Sequence, residues 1–279
     1  MTQVWVNGKV VDAEAARVSP FDHGLLVGDG VFETLRVYDG RPFAWRRHLD
    51  RLEYSANGLG LVAPDRAILQ AAAHALLRAN DLQEARLRIT VTGGVQPLGS
   101  ERRDTRPTVI VAASDVKSVS PTISVVVVAW TRNERGATAG LKTISYAENV
   151  RALAYAQERG AGEAIFRNTR DELCEATGSN VFVVRNGELR TPPASAGCLL
   201  GVTRALVLEL GQELGIECHE VAMPVDALAD ADEAFLTSSV REVQTITQVD
   251  GRALPNAPGP ITTRFAKAFS ALVARNIDP

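Results

Sequence analysis

Three tight-turn dipeptides constrain the fold more than any other feature of this sequence. Asn7-Gly8, Asp39-Gly40 and Asn186-Gly187 each separate two runs of residues that are typical of β-strands. Asparagine or aspartate followed by glycine favours a type I′ turn, because both central residues of that turn need a positive φ. Each dipeptide therefore predicts an antiparallel hairpin, and three hairpins exclude a strictly alternating βαβ order.

Amphipathic patterns between the hairpins predict helices. Apolar residues recur at helical spacing after Trp45, where Gly58 is the expected stop, and in four later segments. Those segments are Asp65 to Ala79, Ala147 to Arg159, Thr203 to Leu214 and Pro260 to Ala274. Strands are also predicted at residues 85–92, 107–114, 124–130, 163–168, 216–221 and 233–236.

The segment DVKSVSP, residues 115–121, is the best candidate for a domain boundary. It is short and polar, and it ends in proline. It predicts an N-terminal domain of residues 1–114 and a C-terminal domain of residues 122–279. Hairpins mixed with helices favour α+β, or α/β with mixed sheets, in these two unequal domains.

Composition excludes several classes of protein. A net charge of −3 provides no electrostatic basis for binding nucleic acid or an anionic membrane. The apolar runs are far too short to span a bilayer. The three cysteines form no CxxC pair, which favours a reducing cytoplasm over a disulfide framework or zinc site. The four histidines lack metal-ligand spacing, so no metal is expected.

Two charged residues stand where chemistry could occur. Lys142 opens LKTISYAENV, at a junction between a buried strand and a helix. Glu175 lies in ELCEATGSN, between a strand and a hairpin strand, and we expect it in a loop. Taken singly, each is more simply interpreted as a solvated surface group.

Three further segments are suited to binding a phosphate. Gly201 to Thr203 begin a helix, whose unpaired N–H groups attract anions, although plain N-capping by Thr203 is the simpler alternative. Thr237 to Ser239 end a buried strand with hydroxyl donors, or form an ordinary polar turn. Arg51 could bind phosphate with two nitrogens, or be a solvated residue on a helix face.

Together these residues match the needs of pyridoxal 5′-phosphate (PLP). Its aldehyde needs a lysine amine, its ring nitrogen needs an acidic partner, and its phosphate needs N–H donors and a cation. The combination favours PLP over the separate surface interpretations.

The chain resembles the class IV aminotransferases, the fold-type IV PLP enzymes. This group includes branched-chain and D-amino acid aminotransferases, R-selective amine transaminases and aminodeoxychorismate lyases. The resemblance rests on motifs in the family's order and spacing: VSPFDHGLLVGDGVFETLRVYDGRPFAWRRHLDRLEYSA, LKTISYAENV, ELCEATGSNVFVV, GCLLGVTR and EAFLTSSVREV. It implies two α/β domains with PLP held between them, like those of D-amino acid aminotransferase, in a homodimer with active sites near the subunit interface.

The resemblance also implies residue roles. Lys142 would carry PLP, Glu175 would contact its ring nitrogen, and Tyr146 would lie beside it. The residues implied to bind the phosphate or support the site are Arg51, Ser179, Asn180, Gly201, Val202, Thr203, Ser238 and Ser239. The residues implied near the substrate are Phe32, Tyr146, Leu98, Arg102 and Val240.

The sequence constrains the type of reaction less than it constrains the fold and the cofactor. The expected reaction moves an amino group from a small amine or amino acid to a 2-oxo acid; the alternative is an aminodeoxychorismate lyase, which releases pyruvate and 4-aminobenzoate. In D-amino acid aminotransferases an arginine traps the substrate carboxylate in the loop that here reads TGGVQPLGSERR, and Leu98 falls near its position. Arg102 or Arg103 could substitute, and with Arg106 they are the candidate cations for a lyase substrate. A scaffold without turnover is disfavoured, because mere binding requires neither Lys142 nor Glu175.

Overall fold

The fold divides into two units. The structure, a computed structural model, describes residues 2–104, 106–116 and 118–279. Unit 1 comprises residues 1–117, 141–146 and 277–279, and unit 2 comprises residues 118–140 and 147–276. The change at 117/118 lies within the predicted linker, of which Lys117 is outside the described residues.

The segment Leu141–Tyr146 corrects one expectation, because it groups with unit 1 and not with the C-terminal domain. The backbone explains this placement. The N–H of Phe32 donates to the carbonyl of Lys142 at 3.0 Å, and the N–H of Ile144 donates to the carbonyl of Gly30 at 2.9 Å. These bonds attach Lys142 to a strand of unit 1, although the chain before Leu141 and after Tyr146 belongs to unit 2.

Unit 1 is built on one antiparallel sheet. Its strands are β1 (Gln3–Val6), β2 (Lys9–Asp12), β3 (Gly30–Tyr38), β4 (Arg41–Pro42), β5 (Ala85–Thr92) and β6 (Thr108–Asp115). They follow the order β2-β1-β6-β5-β3-β4, and every neighbouring pair is antiparallel. Its helices are α1 (His23–Leu26), α2 (Trp45–Leu59) and α3 (Arg66–Ala79).

The hairpin predictions are confirmed. All six residues of the Asn-Gly and Asp-Gly dipeptides have φ between 47° and 99°. The strands on both sides of each dipeptide pair in antiparallel register. The positive φ values are those that a type I′ turn requires, which is why these dipeptides could be recognised from the sequence.

Helix α2 runs through the predicted stop at Gly58 and ends at Leu59, and its C-cap is Gly60, whose φ of 72° is left-handed. Gly58 has a packing role instead: a Cβ at this position would lie 2.7 Å from Cδ2 of Leu141. The core of unit 1 joins α2 and α3 to the sheet. Its fully buried residues include Leu35, Leu49, Leu52, Leu69, Leu76, Leu87 and Ile89.

Unit 2 is built on a mixed sheet. Its strands are β7 (Thr122–Arg132), β8 (Glu163–Asn168), β9 (Leu173–Ala176), β10 (Asn180–Arg185), β11 (Glu188–Thr191), β12 (Cys218–Glu220), β13 (Glu233–Ser238), β14 (Glu242–Val249) and β15 (Arg252–Ala253). They follow the order β12-β11-β10-β13-β14-β7-β8-β9, with β15 paired to β14. The pairs β11–β12, β14–β7 and β7–β8 are parallel, which confirms the prediction of mixed sheets.

Three helices belong to unit 2: α4 (Ala147–Gln157), α5 (Val202–Leu214) and α6 (Pro260–Arg275). Phe182 and Phe235 stack with their ring centroids 4.9 Å apart, and Phe265 of α6 lies 5.9 Å from Phe235. These rings join α6 to the sheet. Within the described ranges, no helix is long and apolar enough to cross a membrane.

A buried carboxylate caps α6. Glu233, in β13, is 3% exposed. Its Oε1 accepts from the N–H of Ile261 at 3.1 Å, and its Oε2 accepts from the N–H of Thr262 at 2.7 Å. Both donors lie in the first turn of the helix, where N–H groups lack an intrahelical partner.

We predict that Glu233→Gln lowers the free energy of unfolding by about 2 kcal/mol, since one helix N–H would then face an amide NH₂ group. Urea denaturation measures the change. Glu217→Gln is the control, because its side chain is 76% exposed in the same unit; it should change stability by less than about 0.5 kcal/mol. Equal stability of the two variants would show that the cap is energetically unimportant.

Candidate active site

In unit 1 the amine of Lys142 lies against aromatic rings. Its Nζ is 4.3 Å from the ring centroid of Phe32 and 6.0 Å from that of Tyr146. The two rings meet edge to face, with centroids 5.1 Å apart. The N–H of Lys142 donates to Oγ of Ser55 at 3.1 Å. The structure thus brings together three of the predicted residues, Phe32, Lys142 and Tyr146.

Arg88 is a residue of this cluster that the sequence reasoning missed. Its Cζ lies 3.7 Å from the centroid of the Phe32 ring, and its Nε donates to Oγ1 of Thr90 at 3.1 Å. Burial lowers the pKa of Arg88. In the described part of the chain, no carboxylate forms an ion pair with it. The available signal was the alternation in ARLRITVT, which puts Arg88 and Thr90 on one face of β5.

Arg51, the predicted phosphate ligand, is held by a buried carboxylate. Its Nε and Nη2 donate to the two oxygens of Glu33 at 2.7 Å and 2.8 Å. His48 Nδ1 lies 2.7 Å from the same carboxylate, which is fully buried. Burial alone would raise the pKa of Glu33, but the charges of Arg51 and His48 hold it well below its ordinary value. Burial also lowers the pKa of His48.

In unit 2, Glu175 lies in a strand and not in the predicted loop. It belongs to β9, where it pairs with Phe166 of β8. One of its oxygens accepts from the N–H of Leu199 at 2.9 Å, and the other lies 3.4 Å from Nε of Arg132. Its side chain is 14% exposed. The strand and these two contacts fix the direction of the carboxylate.

Asn180 binds the same backbone residue, Leu199, through its carbonyl group. Its Nδ2 donates to the carbonyl of Leu199 at 2.7 Å, while the N–H of Leu199 donates to Glu175. A Cβ at Gly201 would lie 2.1 Å from Oδ1 of Asn180. Position 201 therefore accepts only glycine while Asn180 keeps this orientation.

The start of α5 differs from the capping alternative. Gly201 is the N-cap and forms no side-chain cap hydrogen bond, and the helix begins at Val202. Thr203 is its second residue, 3% exposed, so it does not cap the helix. A glycine cap keeps side chains away from the first N–H groups, which suits an anion at this helix start.

Two buried hydroxyl groups in the predicted cofactor-binding segments have no hydrogen-bond partner among the described residues. Ser179 Oγ and Thr237 Oγ1 have no hydrogen-bond partner among the described residues, although the residues are only 6% and 1% exposed. Oγ of Ser238 accepts from the N–H of Arg241 at 3.2 Å. Ser239 and Val240 are half-buried in the turn that follows β13. Unpartnered buried hydroxyls are costly, so Ser179 and Thr237 are suited to a polar ligand.

Arg102, a predicted substrate ligand, already has an internal partner. Its Nε donates to Oδ2 of Asp29 at 2.8 Å, and its Nη1 donates to the carbonyl of Leu59 at 2.7 Å. The carboxylate of Asp29 is buried. Leu98, the other loop candidate, is 71% exposed. The structure therefore uses Arg102 to hold the 93–104 loop.

One group of possible metal ligands was not expected from the sequence. Glu188, Glu217 and His219 present ligand atoms within 4.8 Å of one another, because β11 and β12 are parallel neighbours. Glu188 also accepts from Arg190 at 2.8 Å, and this hydrogen bond lowers the pKa of Glu188. We interpret the group as surface ion pairing.

Comparison with known proteins shows the family. Residues 30–249 match the family described as "Amino-transferase class IV". A putative branched-chain-amino-acid aminotransferase of Methanocaldococcus jannaschii is 36% identical over 273 residues, which covers 96% of this chain and 95% of that protein. The aminodeoxychorismate lyase of Bacillus subtilis is 32% identical over 255 residues, covering 88% of this chain and 86% of the lyase.

The fold agrees with this assignment. The solved branched-chain amino acid aminotransferase of Escherichia coli superposes with a TM-score of 0.90 at 30% identity, covering 97% of this chain and 94% of that chain. The chain belongs to the class IV aminotransferases. It is a PLP-dependent aminotransferase, as the resemblance implied.

We predict that Glu33→Gln lowers the free energy of unfolding by about 3 kcal/mol at neutral pH, because the largely buried guanidinium of Arg51 loses its counter-ion. The folded-state pKa of Glu33 lies below its ordinary value of 4.5. Its stabilisation is therefore complete above that value and is lost as the pH falls below it. The difference between wild type and variant should narrow on acidification in urea titrations at several pH values.

Glu84→Gln is the matched control for this prediction. Glu84 pairs with Arg36 in the same unit, but its side chain is 49% exposed. Its loss should change stability by less than about 1 kcal/mol. A Glu33→Gln effect that stays constant between neutral and acidic pH would contradict the assigned ionisation.

Proposed function

We propose that Lys142 carries PLP covalently and that its amine moves a proton at the substrate Cα during amino-group transfer. One observation carries this proposal: Lys142 Nζ and the Arg88 guanidinium both lie over the ring of Phe32. An amino acid substrate requires a nucleophilic amine for PLP and a cation for its carboxylate. Lys142 offers the amine, and the half-buried Arg88, which has no ionic partner in the described part of the chain, offers the cation. PLP supplies the electron sink that stabilises negative charge on that carbon.

The remaining roles follow the family pattern and the geometry of each unit. In unit 2 Glu175, oriented by Leu199 and Arg132, contacts the ring nitrogen. The start of α5, the Thr237–Ser239 segment at the end of β13 and Arg51 bind the phosphate. The unpartnered hydroxyls of Ser179 and Thr237 and the glycine cap at position 201 fit such an anion.

For the substrate we propose an amino acid with an apolar side chain and a 2-oxo acid acceptor. Arg88 would bind the carboxylate, because a planar guanidinium matches a carboxylate with two parallel hydrogen bonds. Phe32 and Tyr146 would contact the apolar side chain. The branched-chain aminotransferase relatives support this choice, and they leave the preferred enantiomer to experiment.

The lyase remains the second candidate because of the Bacillus subtilis relative. A cyclic diacid needs cations for two carboxylates. Arg102 is engaged with Asp29 and Leu59, which argues against its service as the second cation. The cytoplasmic location suggested by the cysteines stays a prediction.

We predict that the PLP-loaded enzyme, mixed with L- or D-leucine alone, releases one equivalent of 2-oxo acid, and that a second 2-oxo acid then accepts the amino group. Borohydride should fix the cofactor to the peptide that contains Lys142. Lys142→Ala should abolish both results, whereas Lys267→Ala, remote in sequence from every proposed ligand, should preserve them. Labelling elsewhere would refute the lysine assignment; catalytic release of pyruvate and 4-aminobenzoate, without transfer from any amino acid, would establish the lyase.

We also propose that the chain forms a homodimer through an apolar surface of unit 1. Phe21, Leu25, Val95 and Leu98 are between 48% and 71% exposed. Their segments are joined by a hydrogen bond from the N–H of Gln96 to the carbonyl of Phe21 at 3.0 Å. A group of large apolar side chains exposed together is typical of an interaction surface.

We predict that replacing both Leu25 and Leu98 with Glu converts a dimer into a monomer, since charge repulsion and desolvation would oppose burial of this surface. Sedimentation velocity measures the mass. Val62→Glu, at a 77% exposed apolar residue outside the surface, is the control and should leave the mass unchanged. A wild-type monomer, or a dimer that survives the double replacement, would exclude this interface.

A further inference from the structure

Glu163, a second buried carboxylate of unit 2 besides Glu233, has no role among those assigned above. It is the first residue of β8 and is 1% exposed. Its Oε1 accepts from the N–H of Ala164 at 2.9 Å, from the N–H of Thr177 at 3.3 Å and from the Thr177 hydroxyl. Its Oε2 lies 3.0 Å from Nη2 of Arg241.

The partners of Glu163 stand on the two segments proposed to hold the cofactor. Thr177 lies between Glu175 and Ser179, in the segment that joins β9 to β10. Arg241 follows the Thr237–Ser239 segment and the turn at Ser239 and Val240. Its N–H donates to Oγ of Ser238 at 3.2 Å, and its Nη1 donates to Gln244 at 2.9 Å. One carboxylate therefore ties both segments together inside unit 2.

Further hydrogen bonds and an ion pair link Thr177 to the carboxylate of Glu175. The carbonyl of Thr177 accepts from Nδ2 of Asn149, and Oδ1 of Asn149 accepts from Arg132 at 3.2 Å and 3.3 Å. Arg132 in turn lies 3.4 Å from Glu175. The polar network runs, in order, through Arg241, Glu163, Thr177, Asn149, Arg132 and Glu175.

The energetics favour a positioning role for this network. Removing a carboxylate from water is costly, and a well-packed apolar residue would often stabilise a fold as well as a buried ion pair does. Glu163 is followed by the buried apolar run Ala164 to Phe166, so an apolar residue would suit its place in the core. Unlike an apolar residue, the Glu163 carboxylate has two hydrogen-bond acceptors, and these hold Thr177 and Arg241 at defined distances.

We propose that Glu163 is a positioning residue that holds the 176–180 segment and the 237–241 turn in their cofactor-binding conformations. The proposal deepens the proposed function and rests on it for the identity of the two segments. Glu163 acts through Thr177 and Arg241, and it is not assigned a contact with PLP.

The test compares Glu163→Gln with Glu233→Gln. Both replace a buried carboxylate of unit 2 by an amide, but Glu233 caps α6 and has no contact with Thr177 or Arg241 among its hydrogen bonds in the described residues. Amide hydrogen exchange is measured on the cofactor-free proteins. In Glu163→Gln, exchange in both the 176–180 and the 237–241 segments should quicken by about tenfold or more, as expected for a lost charged hydrogen bond. In Glu233→Gln the faster exchange should be confined to the start of α6.

PLP titration of the same proteins provides the second readout. The PLP dissociation constant of Glu163→Gln should rise by about tenfold, while that of Glu233→Gln should stay near the wild-type value. Arg241→Gln should match Glu163→Gln, and combining the two replacements should add little, because they break the same pair.

The outcomes separate the two proposals. Unchanged exchange in either segment of Glu163→Gln, or equal exchange patterns in the two glutamine variants, would overturn the role of Glu163. Faster exchange with an unchanged PLP dissociation constant would overturn its role toward the cofactor. A wild-type protein that does not bind PLP would refute the proposed function, and hydrogen exchange would still decide whether Glu163 holds both segments.

Discussion

Backbone hydrogen bonds to the beginning of β3 determine where Lys142, the lysine proposed to carry PLP, lies. The N–H of Phe32 donates to the carbonyl of Lys142, and the ring of Phe32 contacts the lysine amine, so the same residue fixes both ends of the lysine. The chain leaves unit 2 after Gly140, contributes residues 141–146 to unit 1, and returns to unit 2 at Ala147. Gly58 makes room for Leu141 within this arrangement. The position of the lysine thus depends on unit 1 more than on the strand and helix that flank it in sequence.

Each unit contains a buried carboxylate that orients arginine. Glu33 accepts two hydrogen bonds from Arg51 in unit 1, and Glu163 pairs with Arg241 in unit 2. Such pairs gain little net stability, because desolvation offsets most of the Coulomb attraction. Their effect is geometric, since a planar guanidinium that donates to a fixed carboxylate has few orientations left. Both carboxylates come from the first half of a β-strand, whose backbone hydrogen bonds fix the position of the residue.

Local chemistry explains which features could be predicted. The Asn-Gly and Asp-Gly turns depend on φ values of adjacent residues, and they were identified correctly. Motif order predicts roles for Lys142 and Glu175 that stay predictions, and their structural settings differ from those expected, since Lys142 joins unit 1 and Glu175 lies in β9. Arg88 and Glu163 had no motif, because their importance arises from neighbours distant in sequence. Thr203 illustrates the limit of propensity: it suits an N-cap, but the helix begins one residue before it.

The anchoring of Arg102 bears on how this enzyme could be re-engineered. Its guanidinium neutralises the buried Asp29, and a Cβ at Gly93 would lie 2.4 Å from Oδ2 of that aspartate. Because Asp29 lies outside the 93–104 loop but contacts two of its residues, this loop cannot be replaced by that of a relative without regard to position 29. A transplanted loop without an arginine at position 102 would remove the guanidinium from the buried carboxylate of Asp29, and one without glycine at position 93 would displace that carboxylate. Positions 29, 93 and 102 are structurally coupled, and chimaeras should exchange them together.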